Sequence, residues 1–107
     1  MTTAVFSEIG TTETIIYTCP AAKTATVSRV SVANILESDI TFHISYYNAT
    51  DNTTVYFIKN GHLSSGQNHI SISNSNTLSM SADDYITILS NTEASIDAII
   101  TYEEVDV

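Results

Sequence analysis

Apolar and polar residues alternate along most of this chain with a period of two, and no stretch carries the three-to-four spacing of an amphipathic helix. In Ile40-Thr41-Phe42-His43-Ile44-Ser45-Tyr46, the residues Ile40, Phe42, Ile44 and Tyr46 share one face while Thr41, His43 and Ser45 share the other. That is the pattern of a strand buried on one side. Ile96 to Tyr102 repeats it, with Ile96, Ala98, Ile100 and Tyr102 together. Seven further segments read as strands: Val5 to Ile9, Thr14 to Thr18, Ala25 to Asn34, Thr54 to Lys59, His69 to Ser73, Thr77 to Met80 and Tyr85 to Leu89. Thr, Val, Ile and Tyr dominate them, as suits a pleated surface.

Turn formers punctuate the chain about every ten residues, the spacing of a sandwich or barrel. They are Gly10-Thr11-Thr12, Cys19-Pro20-Ala21-Ala22, Asn48 to Asn52, Asn60-Gly61, Ser64-Ser65-Gly66, Asn74-Ser75-Asn76, Asp83-Asp84 and Asn91-Thr92. Asn60-Gly61 is the strongest single turn signal, because both residues tolerate positive φ. The expected fold is all-β: one antiparallel β-sandwich domain over residues 1–107, jelly-roll-like, with eight or nine short strands.

Charge and composition narrow the function. Three Lys and Arg against twelve Asp and Glu leave a net charge of −9, which repels a phosphate backbone, so nucleic acid is not an expected partner. Apolar runs are only a few residues long, far short of the roughly 20 needed to span a bilayer, and no membrane association is expected. Met1 to Glu8 lacks the basic and apolar regions of a secretory signal, so the chain is expected to bypass the general export route. A single cysteine, Cys19, allows neither an internal disulfide nor a zinc site of paired thiolates.

No constellation of catalytic groups emerges. His43 sits on the polar face of a strand and His62 and His69 flank the Ser64-Ser65-Gly66 loop, with no pair at a ligand spacing. Asp83-Asp84 precedes a strand and lacks the spacing of a calcium loop; it reads as a turn, with a weak calcium site as the alternative. Cys19 has no basic neighbour nearer than Lys23 and reads as inert and half-buried. With glycine only at positions 10, 61 and 66, there is no phosphate cradle and no nucleophile elbow. A protein that is not an enzyme, with no catalytic, cofactor or metal site, is the expectation. Asn48 and Asn52 match the glycosylation acceptor pattern, which arises readily by chance in so Asn- and Thr-rich a chain. Tyr46, Tyr47 and Tyr56 are expected to divide between core and subunit contacts. Faces rich in Ser, Thr and Asn suit contact between subunits, since a desolvated hydroxyl costs less than a desolvated charge.

The segments IIYTCPAAKTATVSRVSVAN, ITFHISYY, NGHLSSGQNHISI, LSMSADDYITILS and SIDAIITYEE together resemble a small β-sandwich module of tailed-bacteriophage structural proteins. Such modules commonly carry a Pro-Ala-Gly-Lys-like corner, a Thr-Ala-Thr-Val strand ending in Asn, and later a Leu-x-Ala-Gly-Asp-like turn. Pro20, Lys23, Asn34, Asp84 and Tyr102 take the matching places, while Ala22 and Asp83 stand where glycine is frequent. The resemblance implies a virion location and a capsid decoration (cement) role on the capsid exterior. It also implies binding to the major capsid protein or other virion proteins, with self-association as a trimer; a tail or tail-fibre component that attaches to host glycan is the alternative. Two of the three basic residues, Lys23 and Arg29, fall with Pro20 in what reads as one hairpin. Pro20, Lys23 and Arg29 are therefore the candidate partner contacts, the other reading being that Lys23 caps a turn and Arg29 pairs with an acid of its own sheet.

Overall fold

The computed structural model describes every residue from Met1 to Val107. Nine strands form: β1 (Thr2–Ile9), β2 (Thr14–Thr18), β3 (Lys23–Asn34), β4 (Ile40–Asn48), β5 (Thr53–Leu63), β6 (Asn68–Ile72), β7 (Leu78–Met80), β8 (Tyr85–Ser90) and β9 (Ile96–Asp106). One sheet runs β1-β9-β3-β6, with β7 also on β3, and the other runs β2-β8-β4-β5. Every pairing is antiparallel. Apart from the short β7, the first, last, third and sixth strands make one layer and the second, eighth, fourth and fifth the other. This is the jelly-roll order, and it confirms the sandwich expected from the alternating pattern.

The inward residues of both sheets meet in one core of Ile, Val, Phe, Met and Leu side chains, with Val27, Val30, Ile44, Ile86, Ile88, Ile96 and Ile100 fully enclosed. Each such side chain contributes about 1.5–3 kcal/mol through burial. Ile40, Phe42 and Ile44 face inward in β4, and Ile96, Ala98 and Ile100 in β9, as their alternation predicts.

Two local expectations fail. Tyr17 to Asn34 is not a hairpin: β2 and β3 belong to different sheets, and the Cys19–Ala22 corner carries the chain across the sandwich. Asn60-Gly61 is not a turn either, because β5 continues through it to Leu63. The β4–β5 register slips between Phe42 and Ile44, so Asn60 is accommodated in a bulge at φ 53°, its amide donating to Nδ1 of His43 at 2.9 Å. Pairing with β4 on both sides of the bulge overrides the local turn preference. Gly61 is required for a different reason than a turn. A Cβ there would lie 2.6 Å from Cγ1 of Ile58 and 3.2 Å from Cε1 of Phe42.

The corner and the β7–β8 turn keep the backbone that glycine would favour. Ala22 has φ 63° and Asp83 φ 71°, a left-handed conformation that costs a residue with a Cβ roughly 1–2 kcal/mol. Two outcomes follow for denaturant unfolding. Gly61→Ala, which forces Ile58 and Phe42 aside, lowers stability by about 1–3 kcal/mol. Ala22→Gly raises it by a few tenths to about 1 kcal/mol, the relief of strain exceeding the entropy that glycine adds to the unfolded chain.

Candidate interaction surface

The side chains with the chemistry to act are for the most part engaged in holding the fold. Asp84, 1% exposed, has both carboxylate oxygens turned onto the protein. Oδ1 accepts from the Ala49 amide at 2.8 Å, and Oδ2 from the Tyr46 hydroxyl at 2.5 Å and the Ser81 amide at 3.0 Å. Its backbone carbonyl accepts from the Cys19 amide, and the Asp83 amide donates to the Cys19 carbonyl, both at 2.9 Å. One residue thus ties together the β2–β3 corner, the β4–β5 turn and the β7–β8 turn. Burial opposes its charge, but the Tyr46 hydroxyl and the Ser81 and Ala49 amides outweigh burial and hold its carboxyl below the usual carboxylate range. Burial, reinforced by the bond to Asp84, pushes the Tyr46 phenol up. Asp84 is spent on turn closure, the role its place in the sequence first indicated.

The opposite end is held by neutral groups. Asn34, at the end of β3, donates through Nδ2 to the Ser38 carbonyl at 2.8 Å and the Leu63 carbonyl at 3.1 Å, and accepts through Oδ1 from the Leu36 amide at 2.9 Å. Ser95 is wholly enclosed; its hydroxyl lies 2.5 Å from that of Ser90 and donates to the Thr92 carbonyl at 2.7 Å.

Cys19 is fully buried, not half-buried as expected, with its thiol 3.5 Å from the Lys23 carbonyl. Burial pushes that thiol up, so it is protonated at neutral pH. The histidines stand apart. His43 faces outward from β4 against Tyr56, His62 lies 3.3 Å from Asp39, and His69 packs edge-on to Phe42 with Nε2 3.0 Å from the Ser71 hydroxyl.

Pro20 is exposed at the corner. Lys23 is engaged by its own chain: Nζ lies 3.4 Å from Asp106 and 3.9 Å from Glu104, and Glu104 also accepts from the Tyr17 hydroxyl at 2.7 Å. Tyr17 packs against Tyr102 with the rings tilted and their centroids 4.1 Å apart, so this cluster links the two sheets beside the corner. Arg29 is exposed and has no carboxylate partner. The two cations do not share a face. The β3–β9 register shifts between Val27 and Arg29, so Lys23 keeps the phase of the buried Ala25 and Val27 whereas Arg29 points outward. Of the two, only Arg29 is free for a partner.

Arg29 belongs to a larger surface that strand-by-strand reading missed, the outer face of the five-stranded sheet. Val5 pairs with Ile99, Ile99 with Ser31 and Ser31 with Ile70, which makes one row straight across β1, β9, β3 and β6. Val5 is 72% exposed and Ile70 49%, with Ile99 between them at 38%. The adjacent row is Thr3, Thr101 and Arg29, the two threonine hydroxyls 3.0 Å apart. An apolar row, interrupted only by the buried Ser31 and flanked by hydroxyls and one unpaired guanidinium, has the composition of a protein-docking face. On the other sheet the outer face carries Tyr47 stacked on Tyr85 at 4.7 Å, and Tyr47 donates to Asn52 in the exposed β4–β5 turn. Comparison of this chain with family models, with curated proteins and with solved structures finds no match.

Asp84 sets the acid response. A carboxyl held below its ordinary value contributes stability that is fully present above the unfolded value, near 3.9, and is lost as pH falls through the native one. Unfolding free energy therefore declines as pH drops below about 4. Asp84→Asn lowers it at neutral pH by about 2–4 kcal/mol, since an amide cannot accept all three bonds, and flattens the acid decline. Denaturant titrations of both proteins across pH check each part.

Proposed function

We propose that this chain is a non-enzymatic virion structural protein, a capsid decoration protein that binds the major capsid protein and stabilises the assembled lattice. The observation that carries the reading is the row of Val5, Ile99 and Ile70 on the outer face of the five-stranded sheet, with Arg29 beside it. It is supported by the resemblance to phage modules, whose matching residues Asn34 and Asp84 are the buried clamps at the two ends of the sandwich. It is also supported by the engagement of Lys23, Glu104 and Asp84 in internal bonds, which fits a module that works through its surface.

The mechanism is mass action. A ligand that binds only the assembled lattice raises the free energy needed to open it, in proportion to the logarithm of its occupancy term. Many weak copies therefore add to a large effect. Apolar contact supplies the affinity, and Arg29 against a capsid carboxylate fixes orientation, because a guanidinium pairs a carboxylate through two parallel bonds. The exterior is favoured, since a charge of −9 is repelled by packaged nucleic acid.

The stacked Tyr47 and Tyr85 beside the exposed Thr50–Thr54 segment favour a second reading, a tail or fibre component whose tyrosines stack on host glycan.

Virions from the source of this sequence test the first reading. They contain the chain in many copies, and particles depleted of it release genome at lower temperature. Added wild-type protein restores the original temperature, whereas Ile99→Glu, which puts a charge in the apolar row, binds roughly tenfold or more weakly and does not. Virions that lack the chain, or depleted particles as robust as complete ones, would overturn the reading.

A further inference from the structure

Of the strands at the sheet edges, β5 differs from the rest. The edge strand β1 ends in a bulge with Glu8 at φ 56°, β2 is five residues broken by a register shift, and β6 and β7 have five and three residues. Short length, bulges and charge are the devices that keep an edge from pairing with another chain. By contrast β5 runs for eleven residues and pairs only with β4. Its guards, Lys59 and the register shifts at Phe57 and Asn60, lie from Phe57 onward. Thr53-Thr54-Val55-Tyr56-Phe57 has no charge, glycine or proline. Val55, Tyr56 and Phe57 are 51%, 48% and 37% exposed. Thr53 to Tyr56, all β-branched or aromatic and regularly paired with β4, thus leave one backbone edge open.

We infer that this edge is completed by the β5 strand of a second copy, paired antiparallel about a two-fold axis through Val55. The charges set the register. Asp51 and Lys59 stand four residues to either side of Val55. Both are exposed and neither has an ion-pair partner in its own chain; Nζ of Lys59 lies 4.9 Å from the Tyr56 ring centroid. Antiparallel pairing centred on Val55 places Lys59 of each copy beside the β4–β5 turn that carries Asp51 in the other, twice by symmetry. The same register sets Thr54 opposite Tyr56, an aromatic and β-branched pair of the kind that stabilises a ladder. A register shifted by one residue in either copy would place Val55 off the axis and is incompatible with two-fold pairing, because the two halves of the ladder would then carry unlike hydrogen-bonded pairs. The interface is closed and self-complementary, and it joins the two four-stranded sheets into one of eight. It leaves the row of Val5, Ile99 and Ile70 uncovered on the other sheet.

Two-fold pairing gives a dimer, where the resemblance to decoration modules implies a trimer. Sedimentation of the purified chain from micromolar to near-millimolar concentration reads the difference. The expected species has twice the 11.6 kDa chain mass. Val55→Lys, which sets like charges against each other on the axis, yields monomer with an unchanged circular dichroism spectrum. Lys59→Asp also yields monomer, and the exchanged pair Asp51→Lys with Lys59→Asp restores the dimer, a rescue that damage to the fold would not produce. A wild-type chain that stays monomeric throughout, one that sediments as a trimer, or a dimer indifferent to Val55→Lys would overturn the inference.

Discussion

The carboxylate of Asp84 is the constraint on which the rest of this sandwich depends. A jelly roll sends its chain repeatedly from one sheet to the other, and the crossings at one end meet around this group. Three donors from Tyr46, Ala49 and Ser81 converge on it while its backbone holds Cys19. An enclosed charge is tolerated only where hydrogen bonds replace water, and here they replace it with groups from β4, the β4–β5 turn and the β7–β8 turn. The cluster of Lys23, Glu104, Tyr17 and Tyr102 then seals the same region from the side. Asn34 and Ser95 close the other end with neutral groups. Between these ends, the Ile- and Val-rich core needs little more than its alternating pattern to form.

That division explains what was legible in the sequence. The strands and their inward faces follow from the period of two, which is local, and Ile40 to Tyr46 and Ile96 to Tyr102 lie as their alternation indicates. Features set by a distant partner were hidden. Asn60-Gly61 carries every local sign of a turn, yet β4 continues opposite it and draws it into a strand. Lys23 and Arg29 look like neighbours on one element until the β9 register separates their faces. The buried role of Asp84 depends on a tyrosine 38 residues away; its only trace in the sequence is its place after Asp83 at the head of a strand. The apolar row of Val5, Ile99 and Ile70 draws on three strands far apart in the chain, and each contributes one residue that is unremarkable alone.

The same economy bears on function. A chain with three basic residues and one enclosed thiol commits most of its reactive groups to closure. Besides exposed carboxylates, Arg29 and Lys59, what remains outward is hydroxyl, apolar and aromatic surface on two sheet faces and one open edge. Surface of that kind recognises shape and excludes water with little desolvation cost. It suits a protein present in many identical contacts, where each contact is modest and the array is strong.

Cryo-electron microscopy of purified virions that contain this chain tests the central claim most directly. A decoration role predicts density for the sandwich at lattice positions over the whole capsid, with the outer face of the five-stranded sheet, and Arg29 with it, against the major capsid protein. Density confined to the tail or fibres, or a capsid-bound sandwich with that face turned to solvent, would contradict it.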